Sequence, residues 1–187
     1  MAAMKDGPEI EAKYRLRPGQ RGAIAATLGH PARVHRQLDV YFDVPGRVLR
    51  VRWEDGKALL TRKDAASTSE DGIKSRHEVE VPLPGGAAPI LEDLLPWLGH
   101  RRLTEVRKER HEYDLDGFVV CLDRIEGLDP PDFVEIESAG GGLDALRALR
   151  DRLGLAPDQC ETRSYARLVA EAGGAAQSRP LPGHQPQ

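Results

Sequence analysis

Charged and apolar residues alternate along much of this 187-residue chain. In the first such stretch Glu9, Glu11 and Lys13 are interleaved with Ile10, Ala12, Tyr14 and Leu16. Side chains of a β-strand point to opposite faces in turn, so one face here is charged and the other greasy. The charged spacing recurs at Arg50 and Arg52, at Lys63, at Arg76 with Glu78 and Glu80, at Lys108 and Arg110, and at Asp123, Glu135 and Glu137. A sheet with one solvated face alternates in the same way without any function. Such a face has no reason, however, to place basic pairs on some strands and acidic pairs on others. Acids in this number suggest a divalent metal, and bases suggest phosphate.

The pattern predicts eight strands, over 8–16, 33–43, 47–54, 57–63, 73–81, 103–115, 118–124 and 132–138. Asp55-Gly56 and Asp116-Gly117 supply hairpin turns. The polar stretch from Asp64 to Gly72 reads as a mobile loop. Four helices fit the remainder. Pro18 opens the first, which runs to Leu28. Pro89 opens the second, with Ile90, Leu91, Leu94, Leu95 and Leu98 as its apolar stripe. Leu146, Leu149 and Leu153 mark the third, closed by Gly154. Tyr165, Leu168, Val169 and Ala172 mark the fourth. One folded domain is expected over 1–172, followed by a disordered tail over 173–187 that is rich in Gly, Pro, Gln and Ala.

Composition narrows the function. A net charge of −3 argues against non-specific nucleic-acid binding, which needs a basic surface field. No stretch approaches the ~18 apolar residues of a membrane span, and the N-terminus lacks the apolar core of a signal peptide. Cys121 and Cys160 have no metal-binding spacing and read as free thiols in a reducing cytoplasm. His35, His77 and His111 share no ligand spacing, and all six histidines are expected to serve packing or surface.

Eight mostly antiparallel strands form either a sandwich or a closed barrel. A sandwich core lined by these faces would bury many charges at several kcal/mol each. A wide barrel keeps them solvated or paired with metal and ligand. The expected fold is therefore α+β: an eight-stranded, mostly antiparallel closed β-barrel with a charged tunnel and helices packed outside.

Here the chain resembles a known family. Glu9-Ile10-Glu11-Ala12-Lys13 is similar to the ExExK signature of the CYTH family, the triphosphate tunnel metalloenzymes. That family includes class IV adenylyl cyclases, thiamine triphosphatases and inorganic triphosphatases. An ordered set of motifs accompanies it. Among them are Tyr41-Phe42-Asp43, Leu49-Arg50-Val51-Arg52, Leu60-Thr61-Arg62-Lys63 and Arg76-His77-Glu78-Val79-Glu80. Further on come Arg107-Lys108-Glu109-Arg110, Leu122-Asp123, Phe133-Val134-Glu135-Ile136-Glu137 and Ser164-Tyr165. The resemblance spans about residues 8–170, and Glu126-Gly127-Leu128 with Ser164-Tyr165 looks most like the cyclase-type branch.

The resemblance implies roles that ordinary chemistry supports. Glu9, Glu11, Glu135 and Glu137, with Asp123, would hold Mg²⁺ or Mn²⁺ through hard carboxylate oxygens. Lys13, Arg50, Arg52, Lys63, Arg76, Lys108 and Arg110 would neutralise a triphosphate. Glu78 and Glu80 are expected to orient neighbouring bases, and Tyr165 to pack its helix on the barrel, with substrate contact second. Arg62 is expected to point out of the tunnel, and Cys121, on the face of Asp123, to act as a small filler. The implied substrate is ATP, cyclised with loss of pyrophosphate; the alternative is hydrolysis of tripolyphosphate or thiamine triphosphate. A non-catalytic triphosphate sensor on the same barrel would predict a gap in the acids, and there is none. Assembly as a homodimer is left open.

Overall fold

The computed structural model describes residues 4–177. Its elements run β1 (Lys5–Arg15), α1 (Gln20–Leu28), β2 (Arg33–Phe42), β3 (Val48–Glu54), β4 (Lys57–Lys63), β5 (Ser67–Thr68) and β6 (Lys74–Leu83). Then come α2 (Ala87–Trp97), β7 (Arg102–Leu115), β8 (Phe118–Ile125), β9 (Asp132–Ser138), α3 (Leu143–Arg152), a 3₁₀ turn at Pro157–Gln159, and α4 (Tyr165–Gln177). Eight strands pair in the order β1-β9-β8-β7-β2-β3-β4-β6, and β6 pairs back onto β1. Every one of these pairings is antiparallel. Closure gives each long strand two neighbours and removes the exposed edges that an open sheet would leave.

Local chemistry sets the turns. Asp55 and Asp116 stand at φ 47° and 51°, each followed by a glycine at φ 77° or 79°. Two successive left-handed residues make the tight turn whose twist matches the strands it joins. The helices lie outside, where the apolar alternate residues of the strands need cover. Ile24 of α1 and Leu146 and Leu149 of α3 pack with Leu153 on Ala12, Tyr14, Val120, Leu122, Val134 and Ile136. Ala88 and Leu95 of α2 pack on Val40, Phe42, Val51 and Ala58. Helix α4 is placed differently. Its Tyr165 and Leu168 meet Tyr41, Val106, Ile125 and Phe133, which belong to the inner faces of their strands, so α4 stoppers one end of the barrel.

Three expectations need revision. The stretch from Asp64 to Gly72 is not free: Ser67 and Thr68 pair with β6, and Asp71 accepts hydrogen bonds from Arg147 at 2.8 and 3.3 Å. The α2 stripe does not all face the barrel. Leu95 is buried, while Ile90, Leu94 and Leu98 are 67%, 40% and 55% exposed, because Pro89 is the third residue of α2 and Ala88 takes the inward place. Helix α4 continues through 173–177, past the expected start of the tail, and 178–187 lie outside the described residues.

Two measurements check this packing. Leu146 is fully buried under α3, so Leu146→Ala is expected to cost about 2–5 kcal/mol in urea denaturation. Glu161, between the 3₁₀ turn and α4, accepts hydrogen bonds from the backbone N–H, Nε and Nη2 of Arg163. Burial opposes its charge, but Arg163 outweighs burial and draws the carboxyl down to about 2. Its stabilising contribution is therefore complete above the ordinary carboxylate value and is lost as pH falls toward 2. Glu161→Gln is expected to lower stability by about 1–2 kcal/mol at neutral pH. In denaturation curves its gap from the unaltered protein should close near pH 2.

Candidate active site in the barrel lumen

The inner faces of the strands line a polar cavity of about 160 Å³. Glu9, Glu11 and Lys13 enter from β1, Arg50 and Arg52 from β3, Lys63 from β4, and Arg76, Glu78 and Glu80 from β6. Lys108 and Arg110 of β7, Glu135 and Glu137 of β9, and Tyr165 of α4 complete the set. All of these except Tyr165, which belongs to a helix, were placed on one face by the period-two pattern. Asp123 lies beneath this wall with no exposed surface. Arg62 is exposed and faces outward, as expected.

Burying so many charges is tolerable only when they are paired, and three networks do this. In the first, Asp39 receives a forked contact from Arg52 at 2.6 and 2.9 Å and a longer one from Arg50 at 3.4 Å. Arg50 also donates to Thr61 at 3.0 Å and to Glu80 at 3.1 Å. Burial opposes charge on Asp39, but Arg50, Arg52 and Lys108 together hold its carboxyl well below the usual range.

The second network centres on Lys63, whose Nζ lies 2.6 Å from Glu9 and 2.9 Å from Glu78. Arg76 donates to Glu9 at 2.9 Å and to Glu11 at 2.8 Å. Lys5 pairs with Glu78 from the rim. Burial works against the charge on Lys63, yet Glu11, Glu9 and Glu78 hold it above its ordinary value. Burial likewise disfavours the Glu78 carboxylate, but Lys63 and Lys5 draw it down to about 2.

In the third, Arg110 forks onto Asp123 at 2.8 and 2.6 Å, bonds Glu135, and reaches Glu137 at 3.3 Å. The Tyr165 hydroxyl donates to Asp123 at 2.9 Å. The Tyr165 ring lies 4.2 Å from Lys13 Nζ and 5.1 Å from Lys108 Nζ, within cation–π range. Tyr165 thus packs its helix on the barrel and also holds the wall of the site. Burial, then Arg110 and Arg52, push Lys108 down to about 8.

The carboxylates differ in how well they are matched. Burial is outweighed at Glu135 by Arg110, Lys13 and Lys108, which hold it far below its ordinary value. Burial pushes Glu137 up to about 7; Arg110 and Lys63 pull against it, more strongly than Glu135 and Glu9 add like charge, but do not overcome burial. Glu137 faces Glu11 directly across β1 and β9. The all-oxygen donor set of this pair fits a hard divalent ion. Among the described residues, no three acids of the lumen bring donor atoms within 4.8 Å of one another, since their oxygens are held by bases. Asp123, expected among the metal ligands, has both oxygens engaged by Arg110 and Tyr165 and holds Arg110 in place.

Several functional side chains escaped the sequence. Asp39 is the main one, wholly buried and holding two arginines. Its signal was present, two residues before Tyr41 and flanked by Leu38 and Val40. Lys5, Lys74 and Glu112 also line the cavity, beside Ser164 of the expected Ser164-Tyr165 motif. Cys121 is buried, directly opposite Glu135 on β9, and burial pushes its thiol well above the ordinary value, as suits an inert filler.

The chain is similar to known proteins. The chain is 29% identical over 180 residues to "Adenylate cyclase CyaB" of Aeromonas hydrophila, covering 88% of this chain and 90% of that protein. A conserved hypothetical protein of Pyrococcus furiosus superposes with a TM-score of 0.73 at 27% identity, over 86% of this chain and 99% of the other. A putative adenylyl cyclase of Hippeastrum, described as having a dominant triphosphatase activity, superposes at 0.66 and 18% identity, over 94% and 98% of the two chains. That last likeness speaks to the fold alone. The CYTH domain matches residues 7–165, nearly all of the barrel and the start of its stopper helix, and the chain belongs to the CYTH family.

Proposed function

We propose that the chain is a divalent-metal-dependent enzyme acting on a triphosphate seated in the barrel, of the class IV adenylyl cyclase type, converting ATP to cyclic AMP and pyrophosphate. The observation that supports it most is the convergence of Lys13, Arg50, Arg52, Lys63, Arg76, Lys108 and Arg110 on one cavity of about 160 Å³. That volume is below the roughly 300–1,000 Å³ of pockets that enclose whole small molecules. It suits a phosphate chain, with the organic group left at the mouth.

Charge balance supports a metal. Acids and bases of the lumen nearly cancel, so a polyanion entering alone would leave excess negative charge in a confined space. One or two Mg²⁺ or Mn²⁺ ions held by Glu9, Glu11, Glu135 and Glu137 would offset that charge and, when bound, polarise phosphate oxygens. The chain's own residues do the rest. Lys63 and Arg76 exchange carboxylate partners for phosphate oxygens, which frees Glu9 and Glu11. Arg50 and Arg52 offer forked donors to the chain of phosphates. Asp39 keeps the plane of Arg52 fixed while this happens. In the cyclase reaction the ribose 3′-oxygen attacks the α-phosphorus, and the basic wall takes up charge on the departing pyrophosphate.

A second reading rests on the same cavity. Its walls contact phosphate whatever the organic group, so tripolyphosphate or thiamine triphosphate would enter equally well. Water would then attack a terminal phosphorus, and the chain would be a triphosphatase.

Product identification separates the readings. With Mg²⁺ or Mn²⁺ and ATP, cyclic AMP with pyrophosphate is expected; orthophosphate release, or turnover of tripolyphosphate or thiamine triphosphate alone, selects the hydrolase. Glu135→Gln with Glu137→Gln should abolish turnover while leaving the circular dichroism spectrum intact, and unchanged activity would refute their place in metal binding. Arg50→Ala should raise KM for triphosphates about tenfold or more, given about 1.5–3 kcal/mol for a charge-assisted hydrogen bond. The same variant should hardly alter monophosphate binding measured by calorimetry.

A further inference from the structure

Among the described residues, one group of side chains, outside the lumen acids, brings metal-binding atoms together. His35 of β2, Glu54 at the end of β3 and Asp55 in the β3–β4 turn place one donor atom each within 4.8 Å of the others. His35 Nδ1 lies 3.0 Å from Asp55 Oδ2 and 3.3 Å from Glu54 Oε1. An ion bound at about 2.1 Å by imidazole and carboxylate separates adjacent donors by about 3.0–3.4 Å. The spacing is therefore already that of a coordination sphere.

The surroundings brace the donors. His35 Nε2, the other ring nitrogen, faces Glu112 Oε2 at 3.7 Å, and that carboxylate is fixed by Arg33 Nε at 2.7 Å. That separation is longer than a hydrogen bond, so Glu112 adds nearby negative charge without fixing the ring's tautomer. Glu54 is backed directly, since the Gln37 amide donates to its second oxygen. Gln37 is buried, and its own amide oxygen has no partner among the described residues. Water in the shell of a nearby ion is the kind of donor it lacks.

Two carboxylates and a ring nitrogen point at one spot, and a single proton on Nδ1 can bridge to one oxygen at a time. A divalent ion satisfies all three. We infer that His35, Glu54 and Asp55 form a second metal site at the mouth of the barrel, backed by Gln37 and selective for a first-row transition ion such as Zn²⁺ or Co²⁺. The nitrogen donor is the basis of selectivity, because imidazole suits these ions and Mg²⁺ prefers oxygen alone. The site is separate from the carboxylates of the lumen. Its ion would tie the β3–β4 turn to β2, next to Glu112, which lines the cavity.

The test uses the full chain with excess Mg²⁺ present to occupy oxygen-only sites. Titration with Zn²⁺ by calorimetry, and with Co²⁺ by visible absorption, is expected to show one ion per chain with imidazole in its spectrum. His35→Ala and Asp55→Asn should each weaken binding at least about tenfold. Glu135→Gln with Glu137→Gln should leave it unchanged. Zn²⁺ should raise the melting temperature of the unaltered protein and not that of either rim variant. Asp55 is in an exposed turn, so Asp55→Asn carries the test if His35→Ala fails to fold. Absence of Zn²⁺ binding under excess Mg²⁺ overturns the inference. So does binding that survives Asp55→Asn, or binding that disappears only when the lumen acids are changed.

Discussion

Pairing of buried charge is the constraint on which the rest of this molecule depends. A cation or carboxylate taken out of water costs several kcal/mol, and only a close partner of opposite sign offsets it. The barrel interior solves this with its own residues. Asp39 answers Arg52 and Arg50, Glu9 and Glu78 answer Lys63, and Asp123 with Glu135 answers Arg110. Burial is least well answered at Glu137. A lumen whose own acids and bases nearly cancel is consistent with the proposal that cations and a polyanion enter it together.

The outside of the barrel follows the opposite rule. Apolar alternates such as Val40, Val51, Val120 and Ile136 have no partner but each other and the helices, so α1, α2 and α3 lie where those faces need cover. Helix α4 serves both regimes. Its apolar residues close one end of the barrel, and the Tyr165 hydroxyl joins the polar network by way of Asp123. The link between outer packing and inner chemistry is therefore physical: displacing α4 would remove the ring that faces Lys13 and Lys108.

Most of this was legible in the sequence because strand periodicity is strict. A period of two assigns Glu9, Arg50, Arg76 and Lys108 to one face with no knowledge of the fold, and two Asp-Gly turns fix the registers of β3–β4 and β7–β8. What failed had non-local causes. The α2 stripe of Ile90, Leu94 and Leu98 is a sound helical pattern, yet the barrel surface beneath it has room for Ala88 and Leu95 alone. Asp39 looked like an isolated acid because its partners lie 11 and 13 residues on, in the next strand. The grouping of His35 with Glu54, Asp55 and Glu112 could not be read from spacing, because these neighbours arrive from other strands and a turn. Alternation likewise placed Asp123 on the inner face but not at its depth.

The central claim is that the lumen exchanges internal ion pairs for a metal–triphosphate complex. The most direct measurement is a crystal structure with Mn²⁺ and a non-hydrolysable triphosphate, located by anomalous scattering. Mn²⁺ beside Glu135 and Glu137, with Lys63 and Arg76 turned from Glu9 and Glu11 onto phosphate oxygens, is the predicted result. Phosphate bound on the outer surface, with every internal pair intact, would contradict it.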